Sequence, residues 1–144
     1  MRDFIPYSKQ SITEDDIKYV SDALRSDFLT QGPLQKVFEG QFESYLGVSH
    51  AHVVSSATAA LHLCCLALGV GEGDVVWTSP ITFVASANCA LYCGADVEFI
   101  DIDDVSYNMS VSVLTDKLRY AEKQGCLPKV VIPVHLCGQS CDME

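Results

Sequence analysis

Positive charge is scarce in this chain. Nine Lys and Arg residues stand against nineteen Asp and Glu, for a formal net charge of -10. The basic residues are scattered singly, which argues against nucleic acid or an anionic membrane as the main partner. Long apolar runs are missing too. The richest stretch, Ala57 to Val70, is shorter than the roughly 18 residues of a membrane span and carries Thr58 and His62. No apolar h-region follows Met1-Arg2-Asp3-Phe4-Ile5-Pro6, so no secretory leader is expected and the chain reads as cytoplasmic. Repeats, low-complexity stretches and linkers are absent. The seven cysteines lack paired zinc spacings: Cys89/Cys93 and Cys137/Cys141 share a CxxxC interval that matches no usual four-ligand pattern. An odd count in a cytoplasmic chain reads as reduced thiols rather than disulfides. Cys89 and Cys93 lie in an apolar helical run as small core hydrophobes. No metal is expected.

What remains is a globular composition. Apolar residues make up 49% of the 144, charged residues 19% and aromatics 9%. A chain of this size can bury about two thirds of its unfolded surface around one core.

The pattern alternates helix and strand. Thr13 followed by Asp16 reads as an N-cap close to a capping box, and Ile17, Val20 and Leu24 mark one buried helical face. The segment Asp27–Pro33 breaks that helix. Pro33 opens a second, whose Val37, Phe38, Tyr45 and Leu46 end at Gly47. A first strand is predicted over Ala51-His52-Val53-Val54. It passes through Ser55-Ser56 into a helix over Ala57–Leu68, apolar nearly all round and so expected to be deeply buried. Further strands are predicted at 75–78, 97–100 and 129–134, with helices over Phe83–Tyr92 and about Val111–Gln124. Short apolar strands alternating with helices imply a mostly parallel sheet with helices on both faces. In such sheets ligands gather at the carboxyl ends of the strands.

The polar residues of interest fall at those ends. A strand turning into a helix through small hydroxylated residues leaves first-turn N–H groups without partners. The Ser55–Thr58 turn is therefore a candidate site for a dianionic phosphate, or an ordinary N-cap. Phe83, just after a strand end, can lie flat on a planar ring or be core. Asp101 and Asp103 read as a turn rather than a metal or acid/base pair. His135 can act as an acid/base or hydrogen-bond a ligand, and position alone does not separate the two. His62, in the middle of an apolar helix, reads as a hydrogen-bonded core residue.

Taken together the motifs resemble the N-terminal part of the DegT/DnrJ/EryC1/StrS family of sugar aminotransferases. The likeness runs through Phe4-Ile5-Pro6-Tyr7-Ser8, Ser26–Pro33, Ser55–Leu61, Pro80–Asn88 and Tyr92–Ala95. It continues at Asp101-Ile102-Asp103 and Pro133–Gln139, and so covers nearly the whole chain. The resemblance implies an α/β fold, the N-terminal part of the large domain of type I transferases dependent on pyridoxal phosphate. It implies pyridoxal 5′-phosphate as cofactor, with Ser56, Ala57 and Thr58 on its phosphate and Phe83 on its ring. Tyr7, Asp27, Phe28, Leu29 and Thr30 would line the nucleotide-sugar pocket, and Ala57 also sits where the family contacts substrate. His135 remains a possible site residue. The implied substrate is a 4-keto-6-deoxy nucleotide sugar, UDP-linked, with glutamate as amino donor and a homodimer as the working form.

The family's pyridine-nitrogen Asp lies in a Glu-Asp-Ala-x-Gln motif and its Schiff-base Lys follows Ser-x-His. Neither motif occurs in the 144 residues, and none of the six lysines, at 9, 18, 36, 117, 123 and 129, follows such a segment. The expectation is a part of a longer enzyme, with no catalytic residue of its own and unable to transaminate alone. Residues 1–35 would form an N-terminal helix and substrate-lining loop, and residues 36–144 an incomplete large domain. Two alternatives stay open: a sugar dehydratase of the same family, in which His replaces the Lys, and a non-enzymatic phosphate- or nucleotide-binding module.

Overall fold

The computed structural model describes residue 6 and residues 9–143. It divides into two units, one up to Val53 and one from Val54 on. Among its described residues the first unit holds two helices. In α1 (Glu14–Leu24) the Thr13 hydroxyl oxygen accepts from the Asp16 N–H at 3.3 Å, while the Asp16 carboxylate accepts from the Thr13 N–H at 2.7 Å. That reciprocal pair is the capping box that the spacing predicts. In α2 (Pro33–Leu46) Pro33 fills the first turn and Gly47 ends the helix in the left-handed region. Between them Gly32 is required by space: a Cβ there would meet Phe28 Cβ at 2.7 Å.

The predicted buried face of α1 is not buried. Ile17, Val20 and Leu24 are 50%, 60% and 65% exposed, and neither helix contains a buried residue. Two short helices cannot enclose a core between them. The strand predicted at 51–54 is also absent. The N–H groups of Ala51 and Val53 donate to the Glu43 and Glu39 carboxylates, at 3.1 and 3.0 Å, instead of to a neighbouring strand. An extended segment satisfied by side chains has no need of a ladder. The Val53 N–H, foremost, holds the Glu39 carboxyl below its ordinary pKa.

The second unit is a three-layer α/β body. Helix α3 (Ala57–Ala67) leads to strand β1 (Val75–Thr78), then α4 (Ala85–Tyr92), β2 (Asp96–Phe99), α5 (Val111–Gln124) and β3 (Val130–Ile132). The sheet is parallel in the order β2-β1-β3, with Val76 opposite Val97 and Val130, and Trp77 opposite Glu98 and Val131. Alternation along β1 feeds two cores. Val76 joins Cys65 and Leu61 of α3 and Cys89 and Ala90 of α4 on one face. Trp77 joins Leu114, Leu118 and Ala121 of α5 on the other, with Ile100 and Met109. Helices thus cover both faces, as the pattern predicts. Over Trp77, Lys117 places its ammonium 4.7 Å from the ring and 2.8 Å from Glu98, which lies opposite Trp77 in the register.

Details depart from expectation. Only Cys65 of α3 is buried, while Leu63 and Leu66 are half exposed, because α4 and the sheet cover the helix from one side. Helix α4 starts at Ala85, so Phe83 stands outside it in the loop. His62 is half buried with its ring edge-on to Tyr92 at 5.4 Å, an aromatic contact in place of a core hydrogen bond. Strand β3 stops before Pro133, which has no N–H to give a ladder. Cys89 is buried in the core as expected, and all seven cysteines are free thiols.

Candidate functional site

The connections decide which residues meet at one edge. Helix α4 starts after the carboxyl end of β1 and finishes where β2 begins, so it runs against the strands. Helix α3 packs beside α4 and returns to β1 through Leu68–Asp74. The two return turns meet at the amino edge, where a Cβ on Gly94 would lie 3.9 Å from the Glu72 nitrogen. Both helix N-termini therefore face the carboxyl edge of the sheet. Ser56, Ala57 and Thr58 are brought there by α3, and Ser79 and Phe83 by the loop after β1. Asp101 and Asp103 follow β2, and His135 follows β3.

At the start of α3 the Ser56 hydroxyl oxygen accepts from the Ala59 N–H at 3.1 Å, and the Ser56 carbonyl accepts from Ala60. The Ala57 and Thr58 N–H groups are left without an intrahelical acceptor, at the positive end of the helix dipole. Because Ser56 uses a lone pair as cap, its proton can donate outward. Ser56 and Ala57 are exposed and Thr58 is half buried. Phe83 is 73% exposed, so it is not the core residue that one reading of the sequence allows. Just before it, Ser79 is 2% exposed and its hydroxyl has no hydrogen-bond partner. The edge thus offers anion donors, an aromatic plate and an unsatisfied polar atom.

The acidic pair makes a turn. The Asp101 carboxylate accepts from its neighbour Ile102, and Asp103 accepts from the Val105 and Ser106 N–H groups and the Ser106 hydroxyl. Those bonds, Ser106 foremost, hold the Asp103 carboxyl below its ordinary pKa. His135 accepts through Nδ1 from the Cys141 N–H at 2.9 Å. Asn108, which no spacing in the sequence announces, is 5% exposed and bonds to the segment that carries His135.

Of the expected substrate-lining residues, Asp27, Phe28, Leu29 and Thr30 belong to the first unit and Ala57 to the second. Asp27 and Phe28 border an open groove of about 840 Å³ with Tyr19, Leu34 and Phe38. Phe28 and Leu29 border a second of about 400 Å³ with Leu24 and Val53. Thr30 is exposed in the same loop. Tyr7 lies outside the described residues.

Residues 10–144 match the DegT/DnrJ/EryC1/StrS aminotransferase family. The chain belongs to that family. It is 40% identical over 141 residues to the spore coat polysaccharide biosynthesis protein SpsC of Bacillus subtilis, covering 98% of this chain and 35% of SpsC. Among solved structures it resembles Helicobacter pylori PseC, an aminotransferase involved in the biosynthesis of pseudoaminic acid. The TM-score is 0.83 at 31% identity, over 95% of this chain and 36% of PseC. It also matches the PLP form of Spr1654 from Streptococcus pneumoniae, with a TM-score of 0.81 at 34% identity, over 96% of this chain and 34% of that one. The chain spans about a third of the length of the curated relatives it matches. Its fold is that of the N-terminal part of the type I pyridoxal-phosphate transferases. The family's aminotransferases use pyridoxal phosphate. The open amides of α3 and the bare ring of Phe83 fit that group, one end anionic and the other flat. No group of three or more His, Cys, Asp or Glu able to hold a metal occurs among the described residues. Among the described residues no helix is long and apolar enough to cross a membrane.

Proposed function

We propose that the whole protein is a pyridoxal-phosphate-dependent aminotransferase acting on C4 of a 4-keto-6-deoxy nucleotide sugar. The sugar is UDP-linked and glutamate is the amino donor. The activity is of the kind carried out by the pseudaminic-acid enzyme, UDP-4-amino-4,6-dideoxy-N-acetyl-β-L-altrosamine transaminase. The protein works in the cytoplasm as a homodimer. Residues 1–35 contribute the substrate-lining helix and loop, with Tyr7, Asp27, Phe28, Leu29 and Thr30 on the sugar nucleotide. Residues 36–144 belong to the large domain.

One observation supports this reading above the rest: the uncommitted amides of α3 and the exposed Phe83 share the carboxyl edge of a parallel sheet. Ala57 and Thr58 donate their N–H groups to the cofactor phosphate, and the Ser56 and Thr58 hydroxyls add donors. Each bond to a charged group contributes about 1.5–3 kcal/mol. Phe83 lies on the ring and contributes about 0.5–1.5 kcal/mol. When bound, the cofactor supplies an electron sink beside the amino group being moved. The acid/base Lys and the carboxylate on the ring nitrogen come from the rest of the whole protein, and these 144 residues do not complete the reaction.

The test is titration with pyridoxamine phosphate, which has no aldehyde and so labels no lysine. Thr58→Val is expected to weaken binding tenfold or more, and Phe83→Ala roughly two- to tenfold, as those energies convert. Binding that ignores both substitutions would sink the site. Treating the chain with pyridoxal phosphate and borohydride is expected to leave no stoichiometric adduct on one lysine. Such an adduct would show that the chain carries its own reactive amine.

A further inference from the structure

The segment after β3 is tied together more closely than a loop of its length requires. Cys137 and Gly138 both have positive φ, 52° and 84°, and turn the chain back through a single 3-10 turn, Leu136–Gly138. Cys137, not being glycine, is strained there. Beyond the turn, the Cys141 N–H donates to His135 Nδ1 at 2.9 Å and the Cys141 thiol donates to the Val134 carbonyl at 3.2 Å. The imidazole therefore closes the base of a strap of which it is itself a part.

What holds the strap from outside is one buried amide. Asn108 Nδ2 donates to the Gln139 carbonyl at 3.0 Å and to the Ser140 carbonyl at 2.9 Å, while Oδ1 accepts from the Leu136 N–H at 3.1 Å. Two carbonyls on one end and an N–H on the other define which atom is nitrogen. Asn108 is anchored in turn. Its carbonyl accepts from Asp103 at 2.8 Å, its N–H donates to the Ser106 hydroxyl at 3.3 Å, and the adjoining Met109 bridges to Ile102. The loop after β2 thus grips the loop after β3 at the carboxyl edge of the sheet.

We infer that Asn108 is a positioning residue for His135, clamping the 136–140 strap so that Nδ1 stays an acceptor for Cys141 and Nε2 is left as the donor at the carboxyl edge. With Nδ1 occupied as an acceptor, the proton of the neutral ring sits on Nε2. His135 is exposed, so that N–H is presented outward, where it donates to an anionic or carbonyl oxygen of a bound ligand. That donor role rests on the cofactor reading above, whereas the hold of Asn108 on His135 does not.

The experiment is long-range proton–nitrogen NMR of the histidines in the intact chain, with hydrogen exchange at Cys141. The wild type is expected to show His135 as the Nε2–H tautomer. Asn108→Ala is expected to give a mixture of tautomers and at least tenfold faster exchange at Cys141. The Trp77 indole signal and the α3 and α4 amides stay unchanged. Asn108→Asp keeps an acceptor for Leu136 but offers nothing to the Gln139 and Ser140 carbonyls. It serves if the alanine variant does not fold, and should change both readouts in the same direction. Wild-type tautomer and protection in the folded variants would overturn the inference, since a merely structural Asn108 would not move them. Pyridoxamine phosphate is then added to the wild type, and the His135 Nε2 signal is expected to shift together with the Ala57 and Thr58 amides. Shifts at those amides with His135 unmoved would overturn its donor role and leave the cofactor site standing. Silent amides would instead overturn the cofactor site, and the variants would still decide the role of Asn108.

Discussion

Cys65 and Cys64 are neighbours in sequence and opposites in chemistry. Burial, and then contact with Cys89, pushes the Cys65 thiol up to about 11, so it stays protonated at neutral pH, while Cys64 is exposed. Brief iodoacetamide treatment of the folded chain should label Cys64, Cys126 and Cys137 and spare Cys65 and Cys89, read by peptide mass spectrometry. Early labelling of Cys65 would contradict the core described here. The same contrast governs how far single residues were legible. Cys89 in an apolar run reads correctly as core, since a helix flanked by apolar neighbours on every side must bury some of them. Phe83 does not, because a Phe beside a strand end suits a core or a ligand equally well. Its 73% exposure follows from a helix that starts two residues later than the pattern suggests.

Among the elements, the turn after β2 carries a pH dependence with a definite sign. Asp103 titrates below its ordinary value because its charged form accepts hydrogen bonds from Ser106 and Val105. A carboxyl depressed in the folded state stabilises above its unfolded pKa, and that contribution is lost as pH falls through the folded one. Protection of the Val105 and Ser106 amides should therefore be constant above about pH 5 and fall below about pH 4. In Asp103→Asn the protection should show no such step. Equal steps in both would assign the change to another group. Caps and breakers were the most legible features of the elements, because Thr13, Pro33 and Gly47 act on bonds within their own turn. The strand expected at 51–54 was not legible, since its backbone partners are two glutamates on α2 rather than anything in its own composition.

For the molecule as a whole, stability concentrates in the second unit, where β1 supplies a side chain to each core. Trp77→Ala should cost about 3–5 kcal/mol in urea unfolding, the range for removing a large buried aromatic. Val105→Ala, at a residue 84% exposed, should change little, within about 0.5 kcal/mol. A small loss at Trp77 would mean that the sheet does not organise the fold. Legible in the residues alone were the alternation of helix and strand, the parallel sheet with both faces covered, and the helix start at Ser56. Each of these rests on periodicity or on the chemistry of a few adjacent residues. The folded arrangement was needed to learn that α1 and most of α3 keep apolar faces exposed, and that Asn108 reaches about thirty positions along the chain to hold the loop of His135. Burial and long-range hydrogen bonds depend on which elements the chain brings side by side, and residues that far apart carry no local signal of their meeting.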